Sequence, residues 1–179
     1  VAEKVVFENT MESVLQVLER PIPPEQIAGL DALGIDLSKP LLPAYSVETH
    51  AALIDFVVRQ RWPELPPEEG QFEAGRAFID IYTQTQMGRA IKGLVKTIGP
   101  HRALERMNRT FRTANNFTET RLLQLGPATF ELWFNFVSRP GYYRGLVYQT
   151  LFHSGVPELE VTQSSRQGDE VTYRVVWRP

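Results

Sequence analysis

The chain has 179 residues, 42% apolar and 22% charged, enough to bury a core and far from a disordered composition. Its formal charge of -2, with Lys and Arg scattered, offers no basic stripe for phosphates, so nucleic acid is not an expected partner. Zero cysteines exclude disulfides, thiolate metal sites and a cysteine nucleophile.

The N-terminus, VAEKVVFENT, lacks the basic segment and long apolar run of a secretory signal. The longest apolar runs, such as LIDFVV, are too short to cross a bilayer. The expectation is a cytoplasmic protein with no membrane partner.

The first half reads as helical. Met11, Val14, Leu15 and Leu18 recur at helical spacing in MESVLQVLER, with Asn9 or Thr10 as the expected cap. Pro24 opens a second helix, PEQIAGLDALG, which Gly34 stops. DLSKPLLPAY holds two prolines and is expected to run extended, its leucines packing like a strap. Ser46 caps a third helix with Glu48 in its first turn, and WPELPP closes it. Residues 68–98 form one long helix or two in line. Gly88 within them costs about 1 kcal/mol against alanine, and so marks a break or the close approach of another backbone. After Gly99-Pro100, PHRALERMNRTFR makes one more helix.

Beyond Asn116 the period changes. TETRLLQL and ATFELWFNF read as a hairpin joined at Gly126-Pro127, with Phe130, Leu132, Phe134 and Phe136 alternating against Glu131, Trp133 and Asn135. RPGYYRGLVYQTLFHSG is helical, stopped by Gly155. LEVTQSSRQGDEVTYRVVW is a second hairpin around a polar QSSRQGDE turn. The expected architecture is α+β: one domain over 1–179, in which a helical half (1–112) packs on a four-stranded antiparallel sheet. Residues 113–179 supply that sheet as two hairpins separated by a helix.

Catalytic patterns are absent. His50, His101 and His153 form no metal-binding spacing, and each is expected to be surface or structural. No GxSxG, GxGxxG or Walker loop occurs. What remains is FRTANNFTETR, residues 111–121. Arg112, Asn115, Asn116 and Arg121 either tie the crossing between the halves or read a small anionic group beside an aromatic wall of Phe111, Phe117 and Trp133. Arg121, on a strand, needs a partner, and Glu119 two residues away is the expected one.

The segments GRAFIDIYTQTQMGRA, LGIDLSKPLLPAY, GPHRALERMNRTFRTANNFTETRL and VTYRVVW resemble a large paralogous family expanded in myxobacteria, of unassigned function. That resemblance covers nearly the whole chain and implies a bacterial cytoplasmic protein. A more distant, architectural resemblance is to the superfamily of haem-nitric-oxide-binding, 4-vinyl-reductase and TRAPP proteins, which enclose an apolar pocket between helices and sheet. FTETR is similar to the Tyr-x-Ser-x-Arg motif that holds haem propionates there. Phe117 replaces the tyrosine and Glu119 the serine, a glutamate that would repel propionates, so the likeness carries over Arg121 alone. His101 is the candidate axial residue.

These readings favour a non-enzymatic bacterial signalling or regulatory module that binds a small hydrophobic or anionic ligand, or a protein partner, with no cofactor expected. Its candidate site comprises Arg112, Asn115, Asn116, Phe117, Arg121 and Trp133. The alternatives are a homodimeric interaction scaffold using Tyr45, Trp62 and Leu65, a haem sensor, or an enzyme built from Glu119, Arg121 and His101 or Tyr82.

Overall fold

The computed structural model describes residues 2–156 and 158–178. It begins with a short strand, β1 (Val5–Phe7), that runs directly into α1 (Glu8–Leu15). The helix starts before the expected Asn9 or Thr10 cap. The Glu8 N–H donates to the Pro43 carbonyl at 3.1 Å, so neighbouring backbone does the capping, and Asn9 Oδ1 accepts from Thr10 N instead. Met11, Val14 and Leu15 are buried on its inner face. Helix α2 (Pro24–Ala32) has Pro24 in its first turn and ends before Gly34, whose φ of 79° would strain any residue with a Cβ.

The strap that follows buries part of Leu37 and Leu41 but leaves Leu42 57% exposed. It leads into β2 (Ala44–Ser46), which pairs antiparallel with β1, Val6 opposite Tyr45. Three-residue strands carry no period, and the sequence pattern shows neither. Ser46 caps α3 (Val47–Arg61), its Oγ accepting from Thr49 N at 3.1 Å. Tyr45 is buried and its hydroxyl accepts from Leu42 N, while Trp62 packs against the core. The expectation of an exposed Tyr45 in a dimer surface is therefore corrected: pairing with β1 turns it inward.

Two helices, α4 (Pro67–Tyr82) and α5 (Gln86–Glu105), cover the region whose pattern allows one or two. Thr85 caps α5 by accepting from Gly88 N at 3.0 Å, and a Cβ on Gly88 would collide with the Tyr82 carbonyl. Break and close approach both occur. Gly99, at φ 80° and ψ 173°, interrupts α5 before Pro100. The expected helix after Pro100 divides at Arg106, giving α6 (Met107–Arg112).

Strands β3 (Thr120–Gly126) and β4 (Thr129–Phe134) form the first hairpin, then come α7 (Pro140–Phe152) and the second hairpin, β5 (Glu160–Gln167) and β6 (Glu170–Val176). The antiparallel sheet has the order β3-β4-β6-β5, so the two hairpins meet through β4 and β6. Its buried face carries Phe130, Leu132 and Phe134 beside Val171, Tyr173 and Val175. The polar residues expected to form a long turn instead belong mostly to β5. Gly168, at φ 61°, permits a tight turn with Asp169.

Helices α4 and α7 touch backbone to backbone. A Cβ on Gly75 would meet the Tyr142 carbonyl, and one on Gly145 the Phe72 carbonyl. Gln149 locks the seam: its Oε1 accepts from Arg76 Nε at 3.0 Å and its Nε2 donates to Asp80 Oδ1 at 2.8 Å. His153 Nε2 lies 2.8 Å from the same Asp80 oxygen.

Candidate functional site: an apolar pocket among the helices

Beside that seam the helices fail to fill space. A pocket of about 80 Å³, partly open to solvent, lies between the end of α4, the first half of α5, α6 and α7, with β1, α1 and α3 completing its lining. No residue of the four-stranded sheet lines it, so it sits inside the helical layer rather than between helices and sheet. Its walls are mainly apolar, from Phe78 on α4, Ile91 and Val95 on α5, Met107 on α6 and Leu146 on α7. Aromatic contacts stiffen them: Phe78 stacks on Tyr82 at 5.8 Å and Phe111 on Tyr143 at 5.8 Å.

Five threonines also line it, and each has its hydroxyl bonded to backbone. Thr10 donates to Ala114, Thr83 to Asp80, Thr110 to Arg106, Thr113 to Thr110 and Thr150 to Leu146. Each hydroxyl proton is thereby used within the fold.

Two lining residues differ. His50 on α3 is buried, and neither ring nitrogen has a hydrogen-bond partner. The Tyr142 hydroxyl on α7 is likewise shut off from solvent and unbonded. Their rings stand edge to face, 6.0 Å apart. Burial holds the His50 imidazole down at about 4, with the Arg139 guanidinium adding to the effect, so the ring is neutral at physiological pH. Burial also pushes the Tyr142 phenol well above its ordinary range and Tyr143 up to about 12. Arg139 itself is clamped to Asp55, Nε donating to Oδ1 at 2.6 Å and Nη2 pairing with Oδ2.

The six residues singled out in the sequence do not gather at one site. Asn115 alone lines the cavity. Its Oδ1 accepts from Phe117 N at 3.1 Å and Thr118 N at 2.8 Å, folding the crossing into a turn. Asn116 faces the N-terminal strand, accepting from Val5 N and donating to the Glu3 carbonyl. Arg112 donates to the Asn116 carbonyl at 3.0 Å. Phe117 packs edge-on against Phe136 at 5.3 Å. Arg121 and Trp133, directly opposite in the β3–β4 register, meet on the outer face of the sheet, the guanidinium 4.5 Å above the ring.

Arg121 therefore has a partner, but not the expected one. Glu119 lies just before β3 and its backbone pairs with Asn135, so the cross-strand tryptophan meets the arginine. The proposed catalytic group does not assemble either. Of Glu119, Arg121, His101 and Tyr82, only Tyr82 lines the cavity, and His101 lies against Phe130 with Nε2 3.6 Å from Glu105. Among the described residues no group of three or more His, Cys, Asp or Glu could hold a metal.

His50 was legible in part: it precedes Leu53 and Ile54 by three and four residues, placing it on the apolar face of α3. Tyr142 carries no such signal.

In fold the chain is similar to several solved H-NOX structures. A doubly substituted Tt H-NOX is 10% identical over 97% of this chain and 95% of that one, with a TM-score of 0.71. An oxygen-binding H-NOX domain related to soluble guanylate cyclases, in its oxygen complex, is 12% identical over 96% and 92%, at 0.64. The unliganded Fe(II) H-NOX protein from K. algicida is 11% identical over 97% of both chains, at 0.62. At such identities the likeness is one of fold. No curated protein matches the chain. The family described as Protein of unknown function (DUF2378) matches residues 4–178, and the chain belongs to it.

Proposed function

We propose that this protein is a non-enzymatic sensing module of bacterial signalling, and that its ligand site is the cavity among α4, α5, α6 and α7. One observation carries the reading: side chains leave a mainly apolar pocket of about 80 Å³ unfilled within the helical layer. Packed interiors leave few such voids, and a small apolar molecule would fill this one.

Haem is the group that the fold suggests, since the H-NOX family carries it. The residues here do not fit one. Arg121 lies over Trp133 on the outer sheet face, Phe117 packs on Phe136, and His101 is turned to Glu105, so none of the three reaches the cavity. At about 80 Å³ the space as it stands suits several waters or a small organic molecule. Added hemin is expected to give no specific absorbance band with the purified protein.

Helix α5 is the wall best placed to respond. Its cavity-lining stretch is bounded by the Thr83–Thr85 turn and the non-helical Gly99, and among the described residues Val95 is the one buried apolar side chain of that stretch. A thermal-shift screen of small amphiphiles tests the reading. At least one compound is expected to raise the Tm of the natural protein, and Ile91→Trp, which fills the cavity from α5, is expected to abolish that rise. Equal responses from both proteins would place the ligand elsewhere.

A further inference from the structure

We infer that the outward face of the end of α5 and of α6 is a docking surface for an acidic helical segment of a partner protein. Arg102, Arg106 and Arg109 form its contact row. The surface is separate from the pocket and does not depend on what the pocket binds.

Charge is unevenly spread along the chain, which corrects the expectation of scattered Lys and Arg. Residues 86–112 hold seven of the 19 cations and one of the 21 carboxylates, leaving 12 cations against 20 carboxylates elsewhere. All seven cations are exposed. Among the described residues none of the seven forms an ion pair, whereas seven of the other 12 do. The fold matches most of its cations internally and leaves this group to be met from outside.

Helix geometry gathers the arginines into a row. Across the α5–α6 junction the helical bonding continues, with Arg106 N donating to the Arg102 carbonyl at 3.2 Å and Thr110 N to the Arg106 carbonyl at 3.1 Å. Arg102, Arg106 and Arg109, spaced four and three apart, therefore share one face, a turn from each other. Ala103, Leu104 and Met107 bury the opposite face. Arg112 extends the row to about 15 Å, its guanidinium donating to the Asn116 carbonyl but left without a counter-charge. Glu105, the segment's one carboxylate, lies 3.6 Å from His101 Nε2 on its own helix.

The chemistry of the row selects the partner. Guanidinium groups fork onto carboxylates and are weakly hydrated, which suits them to protein interfaces better than lysine ammoniums. A helix with Asp or Glu every third or fourth residue repeats the spacing of the row and lies along it. Duplex nucleic acid or an anionic bilayer is a poorer match. Either extends well past the row and meets the remainder of the chain, where carboxylates outnumber cations.

The test is an NMR titration of the full chain at about 150 mM salt, where long-range attraction is screened. The probes are a capped helical peptide of repeated Glu-Ala-Ala-Ala, its Gln-Ala-Ala-Ala counterpart, vesicles of phosphatidylserine and phosphatidylcholine in equal parts, and a short duplex DNA. The Glu peptide is expected to shift Arg102, Arg106 and Arg109 and to bind at least about fivefold tighter than each of the other three. Arg106→Glu with Arg109→Glu is expected to weaken it about tenfold. Arg20→Glu with Arg59→Glu makes the same change of charge at exposed cations outside the segment and should alter binding less than about twofold. Equal losses from the two double variants would overturn the row as the contact. Tighter binding of the vesicles or the duplex would overturn the acidic protein partner, and no shift of the three arginines with the Glu peptide would overturn the inference outright. The probe series on the natural protein decides the matter even if a variant does not fold.

Discussion

Two regions of the molecule are rich in polar side chains among aromatics, and they differ in one respect. In the crossing between the halves, Arg112, Asn115 and Asn116 bond to backbone and Arg121 has the Trp133 ring. In the cavity wall, His50 and Tyr142 have no partner. The crossing also ties down the N-terminal strand: Asn116 and Ala114 bond to β1, so residues more than a hundred positions apart become neighbours. The difference teaches that a dense polar stretch is weak evidence for a site. Unfilled apolar space between helices is the stronger sign, and it is a property of packing.

The comparison is broken most severely at the seam that frames the cavity. Gly145→Val would drive a side chain into the Phe72 carbonyl and the α4 backbone, which cannot give way cheaply. It is expected to lower stability by more than about 3 kcal/mol in chemical denaturation, or to prevent folding.

Next in size is the effect of acid on His50. Its ordinary value is 6.5 and the fold holds it at about 4. Above 6.5 the ring is neutral in both folded and unfolded chains and adds no pH dependence. As pH falls from there towards 4, the unfolded chain takes up a proton that the folded one refuses, so stability drops, by roughly 3 kcal/mol in all. Denaturation from neutral pH to about pH 4 should show this loss in the natural protein and not in His50→Leu. Parallel profiles would mean that His50 finds a partner.

Asn115→Ala sharpens the contrast from the other side, since it strips the acceptor from two backbone N–H groups that are otherwise buried. A loss of about 2 kcal/mol is expected. Arg121→Ala is the smallest change. The guanidinium lies over Trp133 at an exposed site, so the cost should stay below about 1 kcal/mol and ligand response should not change.

Much of the framework was legible in sequence because it depends on local signals. Ser46 before a helical run, Pro24 at a helix start and the strict alternation of Phe130, Leu132 and Phe134 each appear as expected. The misses were cases where distant chain decides. Strands β1 and β2 exist through pairing with each other and with the crossing, and α1 begins early because Pro43 caps it. Proximity along the chain points Arg121 to Glu119, whereas the sheet register delivers Trp133. The cavity was not readable at all. Seven elements line it, and Phe78, Ile91 and Leu146 look like ordinary core residues in any one of them.

The most direct test is to see which of the two regions answers a ligand. Backbone and methyl resonances of the full chain can be assigned and followed while n-butanol is added. The largest shifts are expected at Ile91, Val95, Tyr142 and Leu146, with Arg112, Asn116, Arg121 and Trp133 unmoved. Shifts concentrated on those last four residues, with the cavity silent, would contradict the account.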